Sequence, residues 1–153
     1  MDMSTGVDVD ERAKQCAQAM VARDDASREL GIRLKVIHPG HAIMDMKIKP
    51  WMANGDGVCH GGLLFSLADT AMAFASNSRD DSYVAMSASI EFLSSARLGE
   101  TVTAVAREEH RRGRTATYSV AVTDPSGNRV AQFLGRTYRV RGSVIDGPRS
   151  IPK

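Results

Sequence analysis

Cysteine is scarce in this chain of 153 residues, where only Cys16 and Cys59 occur. Two cysteines cannot build a framework of several disulfides, and their spacing gives no CxxC pair for a redox or zinc site. The chain must therefore draw its stability from a buried apolar core, which a single domain of this length can supply. Free thiols are typical of a reducing compartment, so we expect a cytoplasmic protein.

An excess of charge of one sign is also missing. Lys and Arg together number 20 and Asp and Glu 18, which leaves a net charge of +2. The only basic cluster, Arg111 to Arg114, is too short to outweigh this balance, so no nucleic-acid partner is expected. The four histidines show no spacing that matches a known metal site, and no metal is expected either.

Long apolar runs are absent as well. The longest, within residues 63–75, is interrupted by Ser66, Asp69 and Thr70, so it cannot span a bilayer. The apolar segment of a secretory signal is not present. We therefore expect one domain over residues 1–153, with flexible tails at about 1–8 and 142–153 and no membrane partner.

The remaining pattern predicts two helices and six strands. Helical spacing of apolar residues indicates a helix over about 9–26, and a high content of Leu, Ala and Met indicates a longer one over 61–77. Alternating apolar residues predict a hairpin around Pro39-Gly40 and four further strands, at 82–96, 99–110, 114–124 and 129–140. An antiparallel sheet wrapped around one long central helix accommodates this order with a single core, so the predicted fold class is α+β.

The start of the second helix carries a pattern that suggests chemistry. A polar turn over residues 54–57 precedes His60, Gly61 and Gly62, and neither glycine has a side chain to cover the free N–H groups of a helix start. Such N–H groups can stabilise the oxyanion of a tetrahedral intermediate. The alternative is that the glycines only allow the chain to turn tightly.

Asp69 lies in the middle of that helix, where aspartate is a poor helix former and an unpaired buried carboxylate is costly. Gly62, Phe65, Ser66 and Thr70 lie near it along the helix, and the mostly small side chains on this face leave room for a substrate. The carboxylate is then a candidate general base or nucleophile in a partly dry cleft. A salt bridge to an arginine, or exposure at the helix edge, is the alternative.

The spacing of Gly61 and Asp69 adds a constraint. Along one helix the two residues are separated by about 12 Å, so one substrate carbonyl cannot readily touch both. If both act on one substrate, two antiparallel helices from two subunits must supply them. The sequence therefore predicts a homodimer with two symmetric sites.

Residues 54–78 closely resemble the motif N-x(2)-G-x-C-H-G-G-x(2)-F-x-L-A-D-x-A of hotdog-fold acyl-CoA thioesterases of the phenylacetic-acid-degradation (PaaI/PaaD) type. Residues 87–106 resemble the strand pair that follows the helix in that family, and the likeness extends over about 30–140. It implies hydrolysis of an acyl-CoA thioester, with arylacetyl groups suggested, to a free acid and coenzyme A. It also implies a tetramer built from two dimers, and no cofactor besides the coenzyme A of the substrate.

The resemblance also implies roles at matching positions. Asp69 corresponds to the acid that activates water or attacks the thioester carbonyl, and Gly61 to the backbone oxyanion donor. Asn54 corresponds to a residue whose amide helps to polarise the carbonyl. His60 corresponds to a histidine that lines the site, and a purely structural cap is the alternative for this residue.

Three further points stay open at the level of sequence. In some relatives a Ser or Thr on the following strand orients water, and Ser87, Ser89 or Ala85 occupies the equivalent position here. Arg111 and Arg112 could hold the phosphates of coenzyme A through charge-assisted hydrogen bonds, or simply form a solvated hairpin. A non-catalytic acyl-CoA-binding module with the same fold is the competing function.

Overall fold

The computed structural model describes residues 8–147, so residues 1–7 and 148–153 of the tails predicted at about 1–8 and 142–153 lie outside the described residues. Within the described range, three α-helices and six strands follow one another along the chain. They are α1 (Val9–Arg23), α2 (Asp25–Leu30), β1 (Ile32–His38), β2 (His41–Lys47), α3 (Gly61–Ser76), β3 (Asp81–Phe92), β4 (Thr101–Arg112), β5 (Thr115–Thr123) and β6 (Arg129–Ser143).

The six strands form one antiparallel sheet in the order β1-β2-β4-β5-β6-β3. Helix α3 contacts every strand, because the sheet curves around it, and the apolar core lies between the two. The predicted α+β class with one long central helix is therefore confirmed. Over residues 8–147, no helix combines the length and the apolar character that crossing a membrane requires.

Helix α3 approaches the sheet closely at β6, where Gly135 has no side chain. A Cβ atom at Gly135 would overlap Sδ of Met72 and would lie 2.7 Å from the ring of Phe133. Both of those side chains are fully buried. This packing fixes α3 against the sheet. Gly62 is exposed and Asp69 is half-buried, so the side of α3 that carries these two residues is less covered.

The helix predicted over 9–26 is in fact two helices. Helix α1 ends at Arg23 because Asp24 caps α2: its carboxylate accepts hydrogen bonds from the backbone N–H and the hydroxyl of Ser27, at 2.9 and 2.5 Å. Gly31 ends α2 in the left-handed conformation, with φ at 74°. Aspartate stabilises a helix start better than a helix interior. Asp24 was therefore a sequence signal for a new helix start, and the sequence interpretation missed it.

The predicted boundaries also differ at both ends of the described range. Asp8, predicted as tail, is the N-cap of α1. Strand β3 ends at Phe92 rather than at 96, while β6 continues through Ser143 rather than ending at 140. The predicted C-terminal tail is therefore wrong in its first residues. Val144 is buried, and its carbonyl accepts a hydrogen bond of 2.7 Å from the guanidinium of Arg23.

Candidate active site

The start of α3 presents a free backbone donor. His60 is the N-cap, and its Nδ1 accepts a hydrogen bond of 3.0 Å from the N–H of Gly62. The N–H of Leu63 donates to the carbonyl of His60, also at 3.0 Å. Within residues 8–147 the N–H of Gly61 has no acceptor, so it lies free at the positive end of the helix dipole. This N–H is placed to bind a carbonyl oxygen or an oxyanion.

The loop before α3 is held by Asn54. Its Oδ1 accepts hydrogen bonds from the N–H groups of Asp56 and Val58, at 2.9 and 3.3 Å. The N–H of His60 donates to the carbonyl of Met52 at 2.8 Å, which ties the end of the loop back to its beginning. Since Oδ1 is occupied, the side chain of Asn54 can offer a substrate its NH₂ group, as a donor role in polarising a carbonyl requires.

Asp69 is half-buried on the less covered side of α3. Burial raises the pKa of its carboxyl above the usual 3.8, and no charged group or hydrogen bond in the described part of the chain offsets this effect. The alternative of a salt bridge to an arginine is therefore wrong within residues 8–147. An unpaired and partly desolvated carboxylate has the character of a general base or nucleophile.

The hydroxyl groups near Asp69 are engaged within the helix. Ser66 Oγ donates to the carbonyl of Gly62 at 2.9 Å, and Thr70 Oγ1 donates to the carbonyl of Ser66 at 2.7 Å. Each hydroxyl keeps its lone pairs, so each can still accept a hydrogen bond. The exposed position of Gly62 beside them leaves this face open. Substrate binding by these residues stays a prediction.

Two phenylalanines lie near Gly61. Phe65, one turn further along α3, packs edge-on against Phe133 with the ring centroids 5.3 Å apart. Phe92, at the end of β3, lies against the Cα of Gly61, and a Cβ atom at Gly61 would be 2.9 Å from its Cζ. The sequence interpretation missed Phe92 as a site residue. Its position follows from the pairing of β3 with β6, which no local pattern in the sequence specifies.

Comparison with known proteins decides the family. Residues 56–131 match the sequence model of the thioesterase superfamily. The chain is 38% identical to the acyl-coenzyme A thioesterase PaaI of Escherichia coli over 133 residues, which cover 87% of this chain and 95% of that protein. The chain belongs to the thioesterase superfamily.

Solved structures and a human relative agree with this assignment. The E. coli PaaI structure matches with a TM-score of 0.87 at 37% identity and covers 88% of this chain and 98% of that one. Human acyl-coenzyme A thioesterase 13 is 32% identical over 124 residues, 78% of this chain and 88% of that protein. A Streptococcus mutans protein bound to acetyl-CoA matches at 26% identity with a TM-score of 0.70, over 72% of this chain and 90% of that one. The predicted hotdog fold and PaaI-type resemblance are confirmed.

Arg111 and Arg112 lie far from Gly61 within one subunit of this thioesterase-superfamily protein. Arg111 lies 3.9 Å from Glu108, which pairs with Arg79 just beyond the C-terminal end of α3. Gly61 lies at the other end of this 16-residue helix, about 24 Å away along its axis. One subunit does not bring the two ends together, and phosphate binding by these arginines stays a prediction.

The serines considered for orienting water lie on the wrong face of β3 for a role beside α3 of the same subunit. Ser87 and Ser89 pair with residues 136 and 134 of β6, while Ala88 between them pairs with Gly135, whose open side faces α3. Side chains alternate between the two faces of a strand, so both serines point away from the helix. Ala85 lies on the helix side, opposite the buried Thr137, but carries no hydroxyl.

The surroundings of Cys59, adjacent to His60, disfavour a role as nucleophile. Burial raises the pKa of its thiol to about 11, so the reactive thiolate is scarce at neutral pH. Its Sγ lies 3.5 Å from the carbonyl oxygen of His60 rather than against the imidazole. Among residues 8–147 no group of three His, Cys, Asp or Glu side chains is placed to hold a metal ion.

Proposed function

We propose that this chain hydrolyses acyl-CoA thioesters to a free acid and coenzyme A, with arylacetyl groups as preferred substrates. One observation carries the proposal. Within residues 8–147, the half-buried carboxylate of Asp69 has no partner and lies on the less covered side of a helix that begins at an N–H, that of Gly61, with no acceptor. The E. coli and human relatives named as acyl-coenzyme A thioesterases support the substrate class. The source of the E. coli structure, a phenylacetic acid degradation operon, supports the arylacetyl group.

In the proposed reaction, the thioester carbonyl oxygen accepts hydrogen bonds from the N–H of Gly61 and the amide of Asn54. Asp69 takes a proton from water while the water oxygen adds to the carbonyl carbon, or the carboxylate attacks that carbon itself. The negative charge of the tetrahedral intermediate develops on the oxygen at Gly61, where the helix dipole stabilises it. The C–S bond then breaks. In the general-base route, the departing sulfur takes up the proton held by Asp69. In the nucleophile route, coenzyme A leaves as a thiolate, and water then hydrolyses the anhydride at Asp69, which releases the acid, restores the carboxylate and supplies the proton taken up by the thiolate. These steps use no metal or further cofactor.

We also propose that two subunits form each site, because Gly61 and Asp69 of one helix are about 12 Å apart along the axis. Strand β3 is an edge of the sheet, and residues 85–89 along it are exposed. Met86 is 53% exposed and Leu93 is also exposed, which leaves apolar surface at this edge. Antiparallel pairing of β3 with the same strand of a second subunit would give the backbone N–H and C=O groups of this edge hydrogen-bond partners. It would also set the two α3 helices antiparallel. Assembly of two such dimers into a tetramer, in the cytoplasm, completes the proposal.

The experiment is a thiol-release assay with phenylacetyl-, hydroxybenzoyl- and straight-chain acyl-CoA. Asp69→Asn keeps the shape of the side chain but cannot accept a proton, so we expect kcat to fall by about 10²- to 10⁴-fold with the fold retained. Asp146→Asn makes the same change at an exposed carboxylate and should leave turnover unaltered. Near-normal turnover by Asp69→Asn would contradict the proposed role. Binding of acyl-CoA without turnover by the unaltered protein would instead indicate a non-catalytic binding module.

A further inference from the structure

The end of β3 places an exposed aromatic ring directly beside the proposed oxyanion donor. The Cζ and Cε1 atoms of Phe92 would lie 2.9 and 3.0 Å from a Cβ atom at Gly61, so the ring packs on the Cα of that glycine. In spite of this contact, Phe92 is 55% exposed, whereas Phe133 in the core is fully buried. A large apolar ring with one covered side and one open side is suited to contact a ligand.

The pairing of β3 with β6 shows which way Phe92 points. Phe92 is opposite Ala131 and Ile90 is opposite Phe133, and both of these β6 residues are fully buried in the core around α3. Ile90 is half-buried and packs against the same core. Phe92 therefore lies on the helix-facing side of β3, at the edge of the contact between β3 and α3.

Helix α3 also carries an aromatic residue near Gly61. Phe65 is half-buried, one turn from Gly61, and is held edge-on by Phe133 at 5.3 Å. Phe65 thus lies one turn from Gly61 along α3, and the ring of Phe92 contacts Gly61 from the strand. A carbonyl oxygen on the N–H of Gly61 would place the rest of its acyl group between or beside them.

We infer that Phe92 is a specificity-determining residue, whose exposed ring packs against the acyl group and favours aromatic over straight-chain acyl groups. This inference rests on the proposed thioesterase function. The ring has no proton to exchange and no charge, so it contributes to substrate choice and not to the bond-breaking steps. An aromatic pair gains free energy beyond the burial of its area, and the loss of one such pair corresponds to roughly a threefold to tenfold change in rate.

The test compares kcat/KM for phenylacetyl-CoA with kcat/KM for hexanoyl-CoA, in the unaltered protein and in Phe92→Leu and Phe92→Ala. Leucine keeps the apolar side chain but removes the ring. We expect the phenylacetyl-to-hexanoyl ratio to fall roughly threefold to tenfold in Phe92→Leu and at least as far in Phe92→Ala. Leu134→Ala is the matched control: Leu134 is 51% exposed but pairs with Ser89, on the face of the sheet away from α3, so its ratio should not change.

The outcomes separate this inference from the proposed function. If both Phe92 variants hydrolyse the two substrates with the ratio of the unaltered protein, the inference is wrong and the proposed function stands. If the unaltered protein releases no thiol from any acyl-CoA, both are wrong. Circular dichroism checks folding, and should Phe92→Ala unfold, the ratio measured for Phe92→Leu decides.

Discussion

At the scale of the residue, His60 determines which N–H group at the start of α3 is available to a ligand. Its Nδ1 accepts the N–H of Gly62 at 3.0 Å, which satisfies one of the orphan donors that every helix start carries. The N–H of the preceding glycine, Gly61, has no acceptor in the described part of the chain. The structure therefore shows the capping contact that was the alternative for His60. This contact also supports the proposed chemistry, because it occupies the N–H of Gly62 and leaves the N–H of Gly61 for a ligand.

Substitution of His60 should therefore act first on stability. In His60→Ala the N–H of Gly62 loses its acceptor, and we expect the free energy of unfolding to fall by about 0.5–2 kcal/mol, measured by urea denaturation. In His60→Asn the side chain is a favourable N-cap and should restore most of that loss. If Asn restores thiol release along with stability, the histidine acts through the cap. An alanine variant as stable as the unaltered protein would contradict the capping role.

Candidate site residues could be proposed from the sequence where a local motif specifies them. Gly61 and Asp69 stand in one helix with fixed spacing, and Asn54 lies six residues before His60 in a polar turn. Phe92 was missed because its importance depends on strand register, which brings the end of β3 back over the start of α3. A slip of one residue in that register would turn the ring to the other face of the sheet.

At the scale of the element, α3 depends on a close approach to β6 that only glycine permits. Gly135→Ala places a methyl group into the space of Met72 Sδ and near the ring of Phe133. Because both partners are fully buried, we expect a destabilisation of about 1–3 kcal/mol in urea denaturation. Gly55→Ala is the matched control, since nothing lies within 4 Å of a Cβ atom there, and its stability should hardly change. Equal stability of the two variants would mean that α3 can shift without cost.

Elements with a strong internal pattern were predicted well, and those limited by side-chain capping were not. The central helix and the hairpin around Gly40 lie where the sequence placed them, with Gly40 at a φ of 72°. The break between α1 and α2 depends on hydrogen bonds from Ser27 to the carboxylate of Asp24. Such side-chain bonds compete with the backbone bonds of a continuous helix, and the spacing of apolar residues does not reveal them. Strand ends were missed because pairing partners, and not the local residues, decide where a ladder stops.

At the scale of the whole molecule, the central question is how the two halves of the proposed site meet. One subunit supplies the free N–H of Gly61 and the carboxylate of Asp69, but its straight helix holds them about 12 Å apart along the axis. The same helix also separates Gly61 from the arginines at the end of β4. The exposed edge strand β3 contacts this helix, and in the proposed dimer it offers the surface through which a second subunit completes the site.

Mixed dimers test that arrangement directly. Asp69→Asn removes the base, and Gly61→Pro removes the N–H at the first position of α3, where proline is tolerated and the exposed ring of Phe92 can turn aside. Each variant alone should be inactive. If sites lie between subunits, co-expression gives mixed dimers with one intact site in two, and random pairing should restore about a quarter of the thiol release of the unaltered protein. If each site were built within one chain, every site would keep one of the defects, and the mixture would stay as inactive as its components.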